Sequence, residues 1–105
     1  MYELDYSWSK DLTKILKEQD DKIVKICIQE KYVWEAPKTE PRYCDFDDPL
    51  FSKLFDEGFG GTEGCHFTAW GEKNVYFPVS YDGSECIGFV PRNPCLKASE
   101  HHGGG

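Results

Sequence analysis

The chain has 105 residues, 39% of them hydrophobic and 15% aromatic, which suits one small domain with a single core and excludes a large enclosed active site. Nineteen carboxylates stand against twelve Lys and Arg, a net charge of −7, and that balance excludes direct binding to a nucleic-acid backbone. No apolar run approaches the roughly 18 residues of a membrane span, so no membrane partner is expected.

Trp8, Leu12, Ile15 and Leu16 fall at helical spacing, with Leu4 one turn earlier, and predict an amphipathic helix over residues 6–19. Ser7 or Ser9 can cap its start, Asp20-Asp21 marks its exit, and Lys10, Lys14 and Lys17 face away from the apolar side. The period then changes to two. Val24, Ile26, Ile28, Tyr32 and Trp34 share one face of a long half-buried strand near 23–34, while Lys25, Cys27, Gln29 and Lys31 share a polar face expected to meet water.

Residues 35–47, with Pro37 and Pro41, read as a loop. Asp48 as N-cap and Pro49 at the first helical position open a second short helix near 49–57, with Leu50, Phe51, Leu54 and Phe55 inward and Gly58 as its stop. Gly58 to Gly64 reads as a flexible link. The stretch 65–90 is a meander: Cys65, Phe67 and Ala69 alternate with His66, Thr68 and Trp70. Val75, Phe77, Val79 and Tyr81 form the next inward face, and Asp82-Gly83 is a hairpin signal. Pro78 lacks an N–H, so the middle strand should be bulged or unpaired on one side there. The fold class is α+β: an antiparallel sheet of about four strands, the first helix on one face, and the second helix in the connection. Residues 1–97 form the domain and 98–105 a flexible or tag-like tail.

Chemistry-bearing constellations are few. The five cysteines (Cys27, Cys44, Cys65, Cys86, Cys95) lack the close pairs of a zinc site. Cys65 and His66 are adjacent on a strand and point to opposite faces, so neither a shared metal nor a thiolate–imidazole pair fits. Asp45-Phe46-Asp47-Asp48 would need a glycine at Leu50 to act as a calcium loop, and the glycine-rich GFGGTEG has neither the following lysine nor the preceding strand of a phosphate loop. No metal, catalytic residue or cofactor is therefore expected. An odd thiol count and an N-terminus, MYELDYSWSK, without a basic leader or apolar stretch suit a cytoplasmic protein with reduced cysteines.

What stands out is the charge between Glu40 and Glu63. Seven acids lie there against Arg42 and Lys53, five of the seven net negative charges, interleaved with aromatic residues. Tyr43, Asp45, Phe46, Asp47, Asp56, Glu57, Phe59 and Glu63 are the candidate partner-binding residues: rings as anchors inside a negative rim that speeds encounter with a basic protein. In class the chain is similar to small acidic immunity or inhibitor proteins that neutralise basic toxins or nucleases, and to phage-encoded anti-defence proteins that imitate nucleic-acid charge. That likeness implies a stoichiometric inhibitor, with a toxin, nuclease or nucleic-acid-binding effector as partner. The alternatives are a small metal- or thiol-dependent enzyme, or an accessory subunit presenting its sheet.

Overall fold

Ser7 sets the first helix. Its side chain accepts the Lys10 N–H at 3.1 Å, and helix α1 runs from Trp8 to Gln19. Asp20 ends it in the left-handed region, at φ 50°, with its N–H and that of Asp21 returned to the carbonyls of Lys17 and Leu16. The apolar stripe Trp8, Leu12, Ile15 and Leu16 faces the core, while Leu4 lies outside the helix and is exposed. A computed structural model describes residues 4–30, 39–56, 58, 63–81 and 84–101.

The strands are β1 (Ile23–Gln29), β2 (Arg42–Cys44), β3 (His66–Gly71), β4 (Asn74–Tyr81) and β5 (Ser84–Pro91). They form one antiparallel sheet in the order β2-β1-β3-β4-β5. The chain is α+β as expected, with five strands instead of about four. The fifth is β2, hidden in the sequence because three residues are too short to show alternation. Of the long strand expected over 23–34, Tyr32 and Trp34 lie outside the described residues.

The second expected helix is a single turn. Ser52 N–H reaches the Asp48 carbonyl at 2.9 Å, but the next helical bonds are diverted. The Phe51 carbonyl accepts from Ser9 N–H, and Phe55 N–H donates to the Tyr6 carbonyl at 2.9 Å in an antiparallel bridge. The cap and apolar spacing were present; pairing with residues 6–9 won. Phe51 and Phe55 are still buried.

One face of the sheet carries the core. Ile26, Ile28, Phe67, Ala69, Tyr76 and Ile87 meet Trp8 and Leu12 of α1 together with Phe51, Phe55 and Cys65. Trp8 is the keystone. Its ring stands edge-on to Phe55 at 4.9 Å and tilted on Phe67 at 5.2 Å, and its indole N–H donates to the Cys65 carbonyl at 2.9 Å. Gly64 is required beneath it, since a Cβ there would lie 2.5 Å from the indole nitrogen.

Two inward assignments differ from the periodicity. Ile23 pairs with Gly71 and Lys25 with Trp70, so a bulge absorbs Val24, which is 55% exposed, and Ile23 packs against the core in its place. On β4 the fully buried residue is Tyr76, and Val75, Phe77 and Val79 lie on the opposite face. Alternation favours the Val75/Phe77/Val79 face, because the other face also carries Asn74, Pro78 and Ser80. What turns Tyr76 inward is its hydroxyl bond to Asp21 and its ring contact with Phe89, which no local pattern shows. Pro78 behaves as its chemistry requires: β4 pairs with β5 along its whole length, whereas the β3–β4 ladder stops at Ala69↔Tyr76. Pro78 is thus paired on one side.

A buried corner fixes the sheet to the helix. The Asp21 carboxylate accepts from the N–H groups of Lys22 (2.8 Å), Lys73 (2.9 Å) and Asn74 (3.1 Å) and from the Tyr76 hydroxyl (2.7 Å). Gly71 makes room for it. A second buried carboxylate, Glu85, accepts the N–H of Glu63 at 2.8 Å and of Gly64 at 3.1 Å, tying the entry to β3 onto β5. No described helix is long and apolar enough to cross a membrane.

Candidate functional site

The acidic-aromatic segment falls into two groups. The first sits on and just after edge strand β2. Tyr43 is 64% exposed, paired with Cys27 of β1, and the Lys25 ammonium lies 4.4 Å above its ring. Asp45 and Asp47 are exposed. Phe46 is half-buried: its ring stands edge-on to Phe51 at 6.2 Å, and its carbonyl accepts from the Ser9 hydroxyl at 2.8 Å. Tyr43, Asp45 and Phe46 share an open cleft of about 690 Å³ with Ile23 and Ile26. Lys22 and Lys25 line the same cleft, so it is mixed in charge.

The second group lies further along the segment. Asp56 is half-buried, its N–H donating to a Glu63 carboxylate oxygen at 3.0 Å and its own carboxylate accepting Gly58 N–H at 3.1 Å. Glu63 is exposed and also lines a small cleft of about 190 Å³ beside Phe55 and Cys65. Glu57 and Phe59 lie outside the described residues.

Asp48 joins neither group as a free charge. Arg42 holds it in a two-pronged pair, Nη1 to Oδ2 at 2.5 Å and Nη2 to Oδ1 at 2.9 Å, and Leu50 N–H adds a third donor at 3.0 Å. The Arg42 bonds, against a smaller opposing effect of burial, hold the Asp48 carboxyl below its usual range. The segment's arginine is thereby neutralised by the segment's own acid.

Cys65 and His66 part company as strand geometry requires. Cys65 is buried on the core side with its thiol 3.8 Å from the Leu50 carbonyl, and His66 is exposed on the other side. Burial pushes the Cys65 thiol up to about 11, the opposite of what a nucleophile needs. Among the described residues no group of three or more His, Cys, Asp or Glu side chains is arranged to hold a metal ion, and all five cysteines are free thiols.

Periodicity missed the two lysines of the cleft: it places Lys25 only on a water-facing strand face and gives Lys22 no role. It also missed the buried role of Glu85, although an acid in phase with Ile87 and Phe89 was the available signal. In comparison with known proteins, the chain matches no family model, no characterised protein and no solved structure.

Proposed function

We propose that the protein is a stoichiometric inhibitor that docks on a basic protein through residues 40–63, with the β2 edge as its centre. The observation that carries this reading is the pairing of Arg42 with Asp48, which leaves Glu40, Asp45, Asp47 and Glu63 as exposed carboxylates that this arginine does not offset. Tyr43 supplies a large exposed ring beside them, the residue type that most often anchors an interface. Exposed acids around such an anchor accelerate encounter with a basic surface and fix orientation. The partners that suit this chemistry are basic toxins, nucleases and nucleic-acid-binding effectors, which the inhibitor would cover as an immunity or anti-defence protein.

The test is capture of basic proteins from host lysate by wild type and by the Asp45→Asn/Asp47→Asn/Asp56→Asn variant, followed by titration of the purified partner. The reading requires the triple variant to bind at least tenfold more weakly, in line with a loss of about 1.4 kcal/mol or more. It also requires partner activity to fall in a one-to-one ratio with added wild type. Unchanged binding by the folded variant removes the acidic segment as the docking surface.

A further inference from the structure

The face of the sheet turned away from α1 has a composition at odds with the rest of the chain. In a protein of nineteen acids, Glu85 is the only acid in any described strand, and it points to the α1 side. The register places Lys25, Trp70, Val75 and Val90 in one row across the opposite face. Beside it lie Cys27 and Thr68, then Phe77 opposite Gly88, then Val79 opposite Cys86. A Cβ on Gly88 would fall 2.7 Å from Val79 and 3.0 Å from Phe77, so both side chains lean over that glycine and close the β4–β5 part of the surface into an apolar patch, with Lys25, Thr68, Gln29 and His66 on the β1–β3 part. The helix and the described loop residues that enter the core all do so on the other side.

We infer that this face is an interface for a second copy of the same chain, the two sheets stacking face to face. Area supports this occupant. Four strands about 4.8 Å apart and up to eight residues long cover about 500 Å² per copy, so a pair buries about 1,000 Å². That meets the lower bound of roughly 1,000 Å² for a specific interface and places the contact at the weak, reversible end of the range. Charge placement supports it too. No strand residue of this face is an acid, so stacking puts no strand carboxylate into the contact, and the acids of residues 40–63 lie at and beyond the β2 edge. Screening acts over about 8 Å at physiological salt, so copies of charge −7 can meet through this face without a large penalty. This face adjoins the acidic segment at the β2 edge, where Tyr43 stands opposite Cys27 with the Lys25 ammonium over its ring, but the inference does not depend on what that segment binds.

Sedimentation velocity on the full chain from about 5 to about 500 µM tests it, a range that suits weak, reversible association. The expected result is a concentration-dependent shift from monomer to dimer. Val75→Glu should weaken the dimer by at least tenfold, and Leu54→Glu, at an exposed position outside the sheet, should leave it unchanged. Because Val75→Glu alters a half-buried site and can unfold the chain, Thr68→Glu, at a half-buried polar position on the same face, serves as the second variant. A wild-type monomer throughout that range overturns the inference and leaves the face to some other molecule. So does a dimer that persists in a folded Val75→Glu or Thr68→Glu protein, because the copies then meet elsewhere.

Discussion

Asp21 keeps 9% of its surface exposed and accepts four hydrogen bonds, so the corner between α1, β1 and the β3–β4 turn depends on its being ionised. Burial is the largest single influence and pushes its carboxyl up. The bonds from Tyr76, Lys73, Lys22 and Asn74 together outweigh it and hold the group below the usual 3.8. A folded-state value below the unfolded one stabilises the protein above about pH 4 and is lost as pH falls further. Tyr76 sets the opposite limit. Burial pushes its hydroxyl up to about 12 from 10.0; the Asn74 bond opposes this, and the Asp21 carboxylate adds to it through its hydrogen bond and its charge. Its contribution is complete below pH 10 and is lost as pH rises through 12. Urea midpoints measured against pH should show a plateau with both limbs. Asp21→Asn should lower stability at pH 7 by about 2–3 kcal/mol and flatten the acid limb. An acid limb of unchanged size in that variant would assign it to other carboxylates. The thiols make a second residue-scale test. Burial pushes Cys44 and Cys65 up to about 11, whereas Cys95 is exposed. Iodoacetamide at pH 8 should alkylate Cys95 well before Cys44 or Cys65, as read by peptide mass mapping, with the order erased in urea. Early labelling of Cys65 would contradict its placement in the core.

The helix α1 is held by one favourable cap and one costly one. Ser7 suits its position, but Asp20 adopts φ 50°, where a Cβ meets backbone and glycine does not. Its ion pair with Lys73, at 3.5 Å between two well-exposed groups, is worth too little to offset that strain. Asp20→Gly should therefore stabilise the protein by about 0.5–1 kcal/mol and Ser7→Ala should destabilise it by about 1 kcal/mol, both read from thermal or urea midpoints. A destabilised Asp20→Gly protein would mean that the carboxylate does more than its exposure implies. These same positions show why some elements were legible in the sequence. The α1 stripe, its Ser7 start, its Asp20 exit and the alternation of β1 are local signals, each readable from a few neighbouring residues. The turn at 48–52 carried equally good local signals, yet Phe51 and Phe55 gave their backbone groups to Ser9 and Tyr6, more than forty positions away. Val24 moved because one extra residue was absorbed opposite Gly71, and Val75, Phe77 and Val79 face outward because Tyr76 turns inward to Asp21 and Phe89. Long-range pairing, bulges and distant side-chain partners leave no local trace. Of the candidate site, the exposure of Tyr43, Asp45 and Asp47 followed from composition, whereas the neutralising bond between Arg42 and Asp48 needed the turn between them.

At the scale of the molecule, charge and apolar surface are segregated, and the two proposed interfaces consequently answer to salt in opposite directions. The acids of residues 40–63 would meet a basic partner through complementary charge, so capture should weaken as sodium chloride rises from about 50 to about 500 mM, where the screening length drops to a few ångströms. The open face carries Lys25 and no acid on its strands, while each copy carries −7 in total. Bringing two such copies together gains from apolar burial and loses to long-range repulsion. The same salt increase removes only the loss, so self-association should tighten severalfold. Sedimentation equilibrium and partner titration at the two salt concentrations measure both signs on one sample. A dimer that dissociates at high salt must be held by ion pairs, which the strand residues of the open face do not offer, and would place the contact elsewhere. Capture that strengthens at high salt would instead move partner binding off the acidic segment and onto an apolar surface. Because Thr68→Glu alters self-association and the Asp45/Asp47/Asp56 variant alters partner capture, loss of one with retention of the other separates the two surfaces without knowledge of the partner's identity.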